Sequence, residues 1–523
     1  MKQVMIERRV WSNSASGYVR SIVRLLLGVI SFRQICAEFS LEELGFYSLA
    51  WSFLAYGVLF DFGMGLAVQK RTVEFLQHSN WRELGRMLCS VMVFNCLCAV
   101  AIVVVGLVAS DGLFRTIGVS IENESEFRRA WVVFVLGVGA TYPFQTFREV
   151  HYGQQRIAAA DWLSTGGGVV SFIWLWTCLR MHWGMSWVLL GQAICMVATG
   201  IGMAISALRA MPAVVLAARD VSWGMLKMLA RFSAHAYLVV FASIVVLQMD
   251  RFLIGAILSV TAVATYHVGA KIPELFSAFT WQLPDAIAPA AATMHGQGRH
   301  EDWQRFFLRC LRLNALMTTP LFVLGFIFLE GLLGLITHGR AGGSEVIFLG
   351  RVLLVWSYST IQTHGVSKSI FLMSGQERHL VRLLLLEALA NLILSFLFLQ
   401  WLRRPIGVAL GSLLPALATG WLLLWPWAAR ETKMTSWSLA RQTLGPALRS
   451  SSPVVVFGIL CHLVVGSEMQ TNPAAFCGLA AFAATLALWG TWSFGLSLDE
   501  RLHIMEKLNG YRARERQVRH WFS

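Results

Sequence analysis

Apolar runs of about 20 residues recur along the whole chain and are separated by short polar segments. A run of this length spans the hydrocarbon of a bilayer, about 30 Å thick, as one α-helix. The pattern therefore predicts an all-α polytopic membrane protein with about fourteen transmembrane helices. The predicted spans are residues 11–37, 45–68, 87–109, 127–147, 157–180, 184–208, 233–258, 261–291, 313–337, 344–373, 382–402, 406–428, 453–467 and 473–497.

Lysines and arginines concentrate in every second connection between these spans, and the other connections are short and poor in positive charge. Positive connections stay on the cytoplasmic side of a membrane. An even number of spans also brings both ends of the chain to one side. We therefore expect a multi-pass protein of the inner or plasma membrane with both termini in the cytoplasm. The positive connections contain Lys70, Arg71, Arg82, Arg86, Arg148, Arg156, Arg209, Arg219, Lys227, Arg231, Arg299, Arg305, Arg309 and Arg312.

The composition supports this class, with 56% hydrophobic residues, 14% charged residues and a mean hydropathy of +0.60. The net charge of +14 does not indicate a nucleic-acid partner, because the basic residues form no stripe on a soluble module. The nine cysteines lie mostly in apolar runs without a CxxC pair, so neither disulfides nor a metal site are expected. The first apolar run contains arginines and lacks a cleavage signature, which favours a retained helix over a signal peptide.

An internal repeat relates the two halves of the chain. A single constant offset aligns identical residues without a gap, including Ser40 with Ser259 and Tyr47 with Tyr266. Each copy holds six spans, an even number, so the copies have the same orientation and form a parallel pseudo-two-fold repeat. We predict an N-terminal six-helix lobe (1–231), a C-terminal six-helix lobe (232–429), and an extra helix pair with a basic cytoplasmic tail (430–523). Such repeats are typical of transporters.

Span one carries two arginines, Arg20 and Arg24, inside its apolar run. They recur with Gly28 and Ser31 at intervals of three or four residues and so share one helix face. A charge at the bilayer centre costs about 2.5–3.5 kcal/mol on insertion scales, so such residues usually line a cavity or an ion pathway. Guanidinium groups suit phosphate oxygens in such a cavity. The alternative is that Arg20 snorkels to the interface while Arg24 forms a structural pair.

Further charged residues lie in spans two, seven and eight. In span eight, Lys271 and Glu274 flank Pro273, a residue that suggests a kink beside a cavity; their alternative role is an ion pair one turn apart that stabilises the helix. Span seven ends with Asp250 and Arg251. Span two contains Asp61. Asp61 and Asp250 are candidates for a coupling-ion site, and the alternative is that they form a structural cap or a salt bridge.

Three segments carry a family resemblance: GFYSLAWSFLAYGVLFDFGMGLAVQKRTVEF (45–75), MDRFLIGAILSVTAVATYHVGAKI (249–272) and SGQERHLVRLLLLEALANLILS (374–395). They resemble the Wzx-type polysaccharide and oligosaccharide flippases of the multidrug/oligosaccharidyl-lipid/polysaccharide (MOP) exporter superfamily. The resemblance extends over most of the first twelve spans and implies two six-helix bundles that work by alternating access. It implies substrate-binding roles for Arg20, Arg24, Arg251 and Lys271. Coupling or gating roles are assigned to Asp61, Asp250 and Glu274.

The function that the resemblance implies is translocation of a lipid-diphosphate-linked oligosaccharide or polysaccharide repeat unit to the outer leaflet, without enzymatic chemistry. The expected partners are a polyprenyl-diphosphate-linked glycan, membrane lipid, and a polysaccharide polymerase with export proteins. No cofactor is expected beyond a coupling H⁺ or Na⁺. Span two lacks an arginine, which disfavours lipid II as the cargo. The alternatives are a MATE-like drug or cation exporter, which needs a site of acids and aromatics, and a membrane glycosyltransferase or polymerase acting on the same carrier.

Overall fold

The structure is a computed structural model that describes residues 23–57, 63–117, 121–284, 300–338, 343–373, 376–464, 473–498, 500–502 and 505. Within these ranges the chain forms helices and connections and no β-strand, which confirms the predicted all-α class. The predicted site residues Arg20 and Asp61 lie outside the described residues.

The first half of the chain contains nine helices within the described ranges. They are α1 (23–38), α2 (Leu41–Gly57), α3 (Met64–Gln77), α4 (Trp81–Val108), α5 (Ser110–Ile117), α6 (Ile121–Thr141), α7 (Thr146–Gly153), α8 (Ile157–Arg180) and α9 (Met185–Arg209). Helix α2 begins with the capping box that its sequence spacing indicates. The Ser40 amide donates to Glu43 Oε2 at 2.8 Å, and the Glu43 amide donates to Ser40 Oγ at 3.2 Å.

The rest of the chain contains ten helices within the described ranges, and π-helical turns join or follow several of them. They are α10 (Trp223–Ile257), α11 (Val260–Thr280), α12 (His300–Thr337), α13 (Ser344–Thr360), α14 (Val366–Met373), α15 (Glu377–Leu402), α16 (Ile406–Leu417), α17 (Trp425–Glu431), α18 (Ser436–Val464) and α19 (Pro473–Gly490). The π-helical turns are Ile361–Gly365, Ala418–Leu424 and Thr491–Gly495.

Each of the fourteen predicted spans is helical over most of its described part. Ten helical stretches among the described residues are long and apolar enough to cross a membrane. The other four predicted spans are the first, second, seventh and eighth, and these four carry all of the candidate site residues named from the sequence.

One helix start reproduces the internal repeat. Helices α2 and α11 begin at Leu41 and Val260, which the offset that pairs Ser40 with Ser259 aligns with each other. Ser259 also occupies the position of Ser40 as a cap, because its hydroxyl accepts from the amide of Ala262 at 3.2 Å. The repeat therefore extends to one helix start and to its cap.

The described residues divide into two compact units. Unit one comprises those within Met1–Val268, Ile336–Ala341 and Val381–Ser412, and unit two comprises those within Gly269–Leu335, Gly342–Leu380 and Leu413–Ser523. The predicted lobe boundaries at residues 231 and 429 stay a prediction.

Unit one has an apolar core formed by side chains of α3, α4, α7 and α9, among them Met64, Leu84, Phe147 and Met203. Helices α8 and α9 approach closely, since a Cβ atom on Gly167 would lie 2.0 Å from Thr199 Oγ1. This packing fixes α7, α8 and α9 relative to one another.

Unit two has a core in which α12 packs on α19 through the rings of Phe328 and Phe476. Two of its π-helical turns lie against each other, because a Cβ atom on Gly420 would lie 2.4 Å from Thr363 Oγ1. The indole N–H of Trp421 donates to Ser359 Oγ at 2.8 Å beside this contact. An extra residue in a helical turn is frequent at functional sites.

Gly45 of α2 passes the first residue of α11 so closely that no side chain fits. A Cβ atom on Gly45 would lie 2.0 Å from the carbonyl oxygen of Val260. We expect Gly45→Ala to lower the stability by about 1–3 kcal/mol, the usual cost of overpacking, because backbone must shift. Thermal unfolding in detergent measures the effect. Gly166→Ala is the control, since nothing lies within 4 Å of its Cβ position, and equal melting temperatures for both variants would contradict the close approach.

Candidate functional site

A cavity of about 360 Å³ lies within unit one. Helices α1, α2, α7, α8 and α9 contribute its walls, and we name it the Arg24 cavity. It is lined by Val23, Arg24, Leu27, Gly28, Ser31, Tyr47, Trp51, Arg148, Ser164, Thr165, Gly168, Ser171, Phe172, Leu175 and Gln192.

The α1 wall of the Arg24 cavity is the polar face that the sequence pattern indicates. Arg24, Gly28 and Ser31 all line the cavity, while the neighbouring Leu26 is 57% exposed and does not line it. The side chain of Arg24 is exposed, as a group facing an open cavity must be. A guanidinium group therefore stands in a cavity between apolar membrane helices.

A second guanidinium group, that of Arg148, enters the cavity from α7. Helix α6 ends at Thr141, and a 3-10 turn containing Pro143 separates it from α7. The turn is anchored because the hydroxyl of Tyr142 donates to the carbonyl of Gly57 at 2.8 Å. Arg148 lies over the ring of Tyr152, 5.6 Å from its centroid. The break in the helix places a residue that follows the predicted fourth span in the cavity wall.

Neutral polar groups complete the wall. The amide of Gln192 donates to the hydroxyl of Tyr47 at 2.9 Å, and Gln192 is only 3% exposed. Its Oε1 atom has no hydrogen-bond partner among the described residues. A buried amide oxygen without a partner is costly, so it favours a ligand that donates a hydrogen bond there.

Hydroxyl groups on α8 also line the Arg24 cavity. Ser164 and Thr165 donate their hydroxyls to carbonyls one turn earlier, at 2.8 and 2.7 Å. Their oxygens can still accept hydrogen bonds. Trp51 and Phe172 add aromatic surface. The cavity thus combines two fixed cations, hydroxyl and amide groups, and aromatic rings, a combination that suits an oxyanion joined to a polar ring.

A second polar group of residues in unit one surrounds Asp250, which is 4% exposed. The hydroxyl of Tyr266 donates to Asp250 Oδ2 at 2.6 Å, and the hydroxyl of Ser412 donates to the same atom at 3.3 Å. Asp250 Oδ1 has no hydrogen-bond partner among the described residues. We name these three residues the Asp250 cluster. A carboxylate so deeply buried requires a proton or a nearby cation, and the guanidinium of Arg251 interacts with it electrostatically.

Arg251 follows Asp250 in the chain, interacts with its charge and donates hydrogen bonds to other residues. It is 9% exposed, and its Nη1 atom donates to Gln248 Oε1 at 3.0 Å and to Ser52 Oγ at 3.3 Å. Ser52 in turn donates to the carbonyl of Ser48 at 2.9 Å. Arg251 is thus held against α2 and is not among the residues that line the Arg24 cavity.

Lys271 and Glu274 lie one turn apart on α11, on either side of Pro273, and both side chains are half-buried. They belong to unit two. Their roles in binding and gating stay predictions. No group of three or more His, Cys, Asp or Glu side chains within the described ranges could hold a metal ion.

Arg148 and Gln192 were not predicted as site residues. Arg148 was assigned only to the positive cytoplasmic connections, although Pro143, which precedes it closely in the chain, marks a helix break. Gln192 is a lone amide in the apolar run of span six, and that amide was the available signal.

The chain matches the model of one protein family. A family model described as polysaccharide biosynthesis protein matches residues 39–339, more than half of the chain. No curated protein matches the chain.

Solved structures of MOP superfamily members share the fold. An inward-facing multidrug resistance MATE family transporter aligns with a TM-score of 0.66 and 16% identity, covering 80% of this chain and 99% of that one. The lipid II flippase MurJ, in an inward closed conformation, aligns with a TM-score of 0.69 and 12% identity, covering 92% and 97%. A MOP superfamily transporter from Pyrococcus furiosus Vc1 aligns with a TM-score of 0.60 and 15% identity, covering 81% and 95%. The fold is that of the MOP superfamily.

Proposed function

We propose that this chain, which belongs to the polysaccharide biosynthesis protein family, is a flippase for a lipid-diphosphate-linked oligosaccharide or polysaccharide repeat unit. It carries the saccharide from the cytoplasmic to the outer leaflet of the cell membrane. A polysaccharide polymerase and export proteins then use the product. Both termini lie in the cytoplasm, as the distribution of positive charge indicates.

The observation that carries this proposal is the pairing of Arg24 and Arg148 in one cavity between apolar helices. Two guanidinium groups offer bidentate hydrogen bonds to the oxygens of a diphosphate, and such contacts strengthen where water is scarce. The sugar ring meets Gln192, Ser164 and the ring of Trp51, which supply hydrogen bonds and an apolar face. The polyprenyl tail stays in the bilayer, so the protein has to enclose only the polar headgroup.

Turnover requires that the inward-open and outward-open states bind the headgroup with different affinity. We assign the energy input to a coupling H⁺ or Na⁺ at Asp250, whose buried carboxylate is neutral only when it holds a proton or a cation. Arg20, Arg251 and Lys271 remain candidates for further substrate contacts, and Asp61 and Glu274 for gating.

Protection of a defined lipid-linked oligosaccharide from a membrane-impermeant glycosidase, in proteoliposomes of the purified protein, tests the proposal. We expect lipid-linked glycan added to the outer leaflet to become protected with time, and glycan in protein-free liposomes to stay accessible. Absence of protection for every glycan tested, from protein that is folded in the liposomes, would contradict it.

The same proteoliposomes distinguish the flippase from the two alternative functions. A MATE-like exporter would move a cationic dye in a manner that depends on Asp250, and a glycosyltransferase would lengthen the glycan. Either result without glycan translocation would replace the flippase proposal.

A further inference from the structure

A second cavity, of about 550 Å³, lies in unit one between the ends of α8 and α9. We name it the Arg156 cavity. It is lined by Arg156, Leu163, Gly202, Ile205, Ser206, Arg209 and Ala210. It shares no lining residue with the Arg24 cavity and uses a different set of α8 residues.

The polar end of the Arg156 cavity is basic. Arg156 immediately precedes α8, Arg209 is the last residue of α9, and both side chains are exposed. None of the seven lining residues is acidic. Arg156 Nη1 donates to the carbonyl of Ser206 at 3.2 Å, a bond that holds the guanidinium beside the end of α9. A guanidinium carries five N–H donors, so this bond leaves capacity for an anion.

The other end of the cavity is apolar and lies along the membrane-spanning part of the helices. Leu163 is about two turns along α8 from Arg156, and Ile205 is one turn before Arg209. Gly202 lies opposite Leu163, whose side chain is 3.6 Å from the position of a Cβ atom there. The groove thus offers a charged end to a headgroup and an apolar wall to an acyl chain.

The helices around the groove face lipid. Only 17% of the apolar stretch of α8 is buried inside the protein, and Ile205 is 45% exposed. The opposite end of the α8–α9 hairpin carries a cluster of tryptophans, in which Trp183 lies 5.8 Å from both Trp174 and Trp187. Tryptophans mark both membrane interfaces, whereas the cytoplasmic side carries the excess of lysine and arginine. Among the described residues of the hairpin, the groove end holds Arg156 and Arg209 and the tryptophan end holds Arg180 alone, so the basic end of the groove is assigned to the cytoplasmic interface.

We propose that the Arg156 cavity binds the phosphate headgroup of an anionic membrane phospholipid from the cytoplasmic leaflet. Basic pockets between membrane helices on this side are suited to such headgroups. The polyprenyl diphosphate carrier offers the same phosphate chemistry. The position of the groove on the lipid-facing side, apart from the Arg24 cavity, favours the abundant phospholipid. This binding does not depend on the flippase function.

Native mass spectrometry of the detergent-solubilised full chain tests the proposal, with phosphatidylglycerol, phosphatidylcholine and a polyprenyl diphosphate as probes. We expect the wild type to retain phosphatidylglycerol in preference to phosphatidylcholine. The double variant R156Q/R209Q should bind phosphatidylglycerol about thirtyfold more weakly, since each basic residue near an anionic lipid contributes about fivefold. R156K/R209K, which keeps both charges, should retain most of the affinity.

The matched control is R441Q/R449Q, which removes two exposed arginines from α18 with the same change of charge. We expect it to bind phosphatidylglycerol like the wild type. Equal affinity of R156Q/R209Q and the wild type would overturn the proposal, as would equal losses in both double variants. If R156Q/R209Q lost binding of polyprenyl diphosphate but kept binding of phosphatidylglycerol, the cavity would be assigned to the carrier instead.

Discussion

Arg24→Glu is expected to abolish translocation of the lipid-linked saccharide while leaving membrane insertion intact. The side chain lines the Arg24 cavity together with Arg148, and a glutamate there would repel a diphosphate instead of binding it. Loss of one charge-assisted hydrogen bond costs about 1.5–3 kcal/mol, and the added repulsion should reduce transport by about a hundredfold or more. The glycosidase-protection assay measures the rate, and Arg24→Lys should keep part of it.

Arg148→Glu should have an effect of the same order, because both guanidinium groups line the cavity of the proposed diphosphate site. The control is Arg180→Glu, which makes the same change on α8, a cavity-lining helix, but outside the cavity, where Arg180 lies over the ring of Trp176. We expect the control to transport like the wild type. Normal export by Arg24→Glu would remove that residue from the mechanism. An effect of Arg24→Glu with none of Arg148→Glu would reduce the site to one arginine.

Asp250→Asn is expected to abolish the dependence of transport on an ion gradient. Asparagine is isosteric and can still accept from Tyr266 and Ser412, so the fold should persist, but an amide neither takes up a proton nor neutralises a cation. Imposing a pH gradient or a sodium gradient across proteoliposomes, each in turn, measures the response. The wild type should accelerate with one of the two gradients, which identifies the ion, and Asp250→Asn should respond to neither.

The control for this variant is Asp220→Asn, in the 3-10 turn between α9 and α10, which should keep the wild-type response. A gradient response that survives in Asp250→Asn would restrict Asp250 to a structural role. If the wild type transported at the same rate with a pH gradient, with a sodium gradient and with neither, coupling at Asp250 would be excluded.

Much of the architecture was predictable because it depends on properties that are local in sequence. Hydropathy located the spans, since a bilayer demands about 20 apolar residues from each crossing helix. The capping box at Ser40 is also local, and so is the helix face shared by Arg24, Gly28 and Ser31. The offset between the two copies of the repeat came from identities alone, and the starts of α2 and α11 reproduce it.

The candidate site was predicted less completely because its parts come from distant segments. Gln192 meets Tyr47 across 145 residues, and Ser412 meets Asp250 across 162 residues. Nothing in one sequence reports such pairs. Arg148 was missed for a different reason: a positive charge at the end of an apolar run looks the same whether it faces the cytoplasm or turns into a cavity. The helix break at Tyr142–Phe144 turns Arg148 into the cavity, and a hydropathy profile does not show this break.

The constant offset between the two halves also bears on how the chain acquired two kinds of polar site. This offset aligns Ser31 with Asp250 and Tyr47 with Tyr266. In the first copy these positions belong to the cavity with two guanidinium groups, and in the second they form the cluster around a buried carboxylate. The aligned positions thus hold a serine beside cations in one copy and a buried acid in the other. Under the proposed function, the two copies of one repeat would divide the work of the transporter, with the first binding the cargo and the second binding the driving ion.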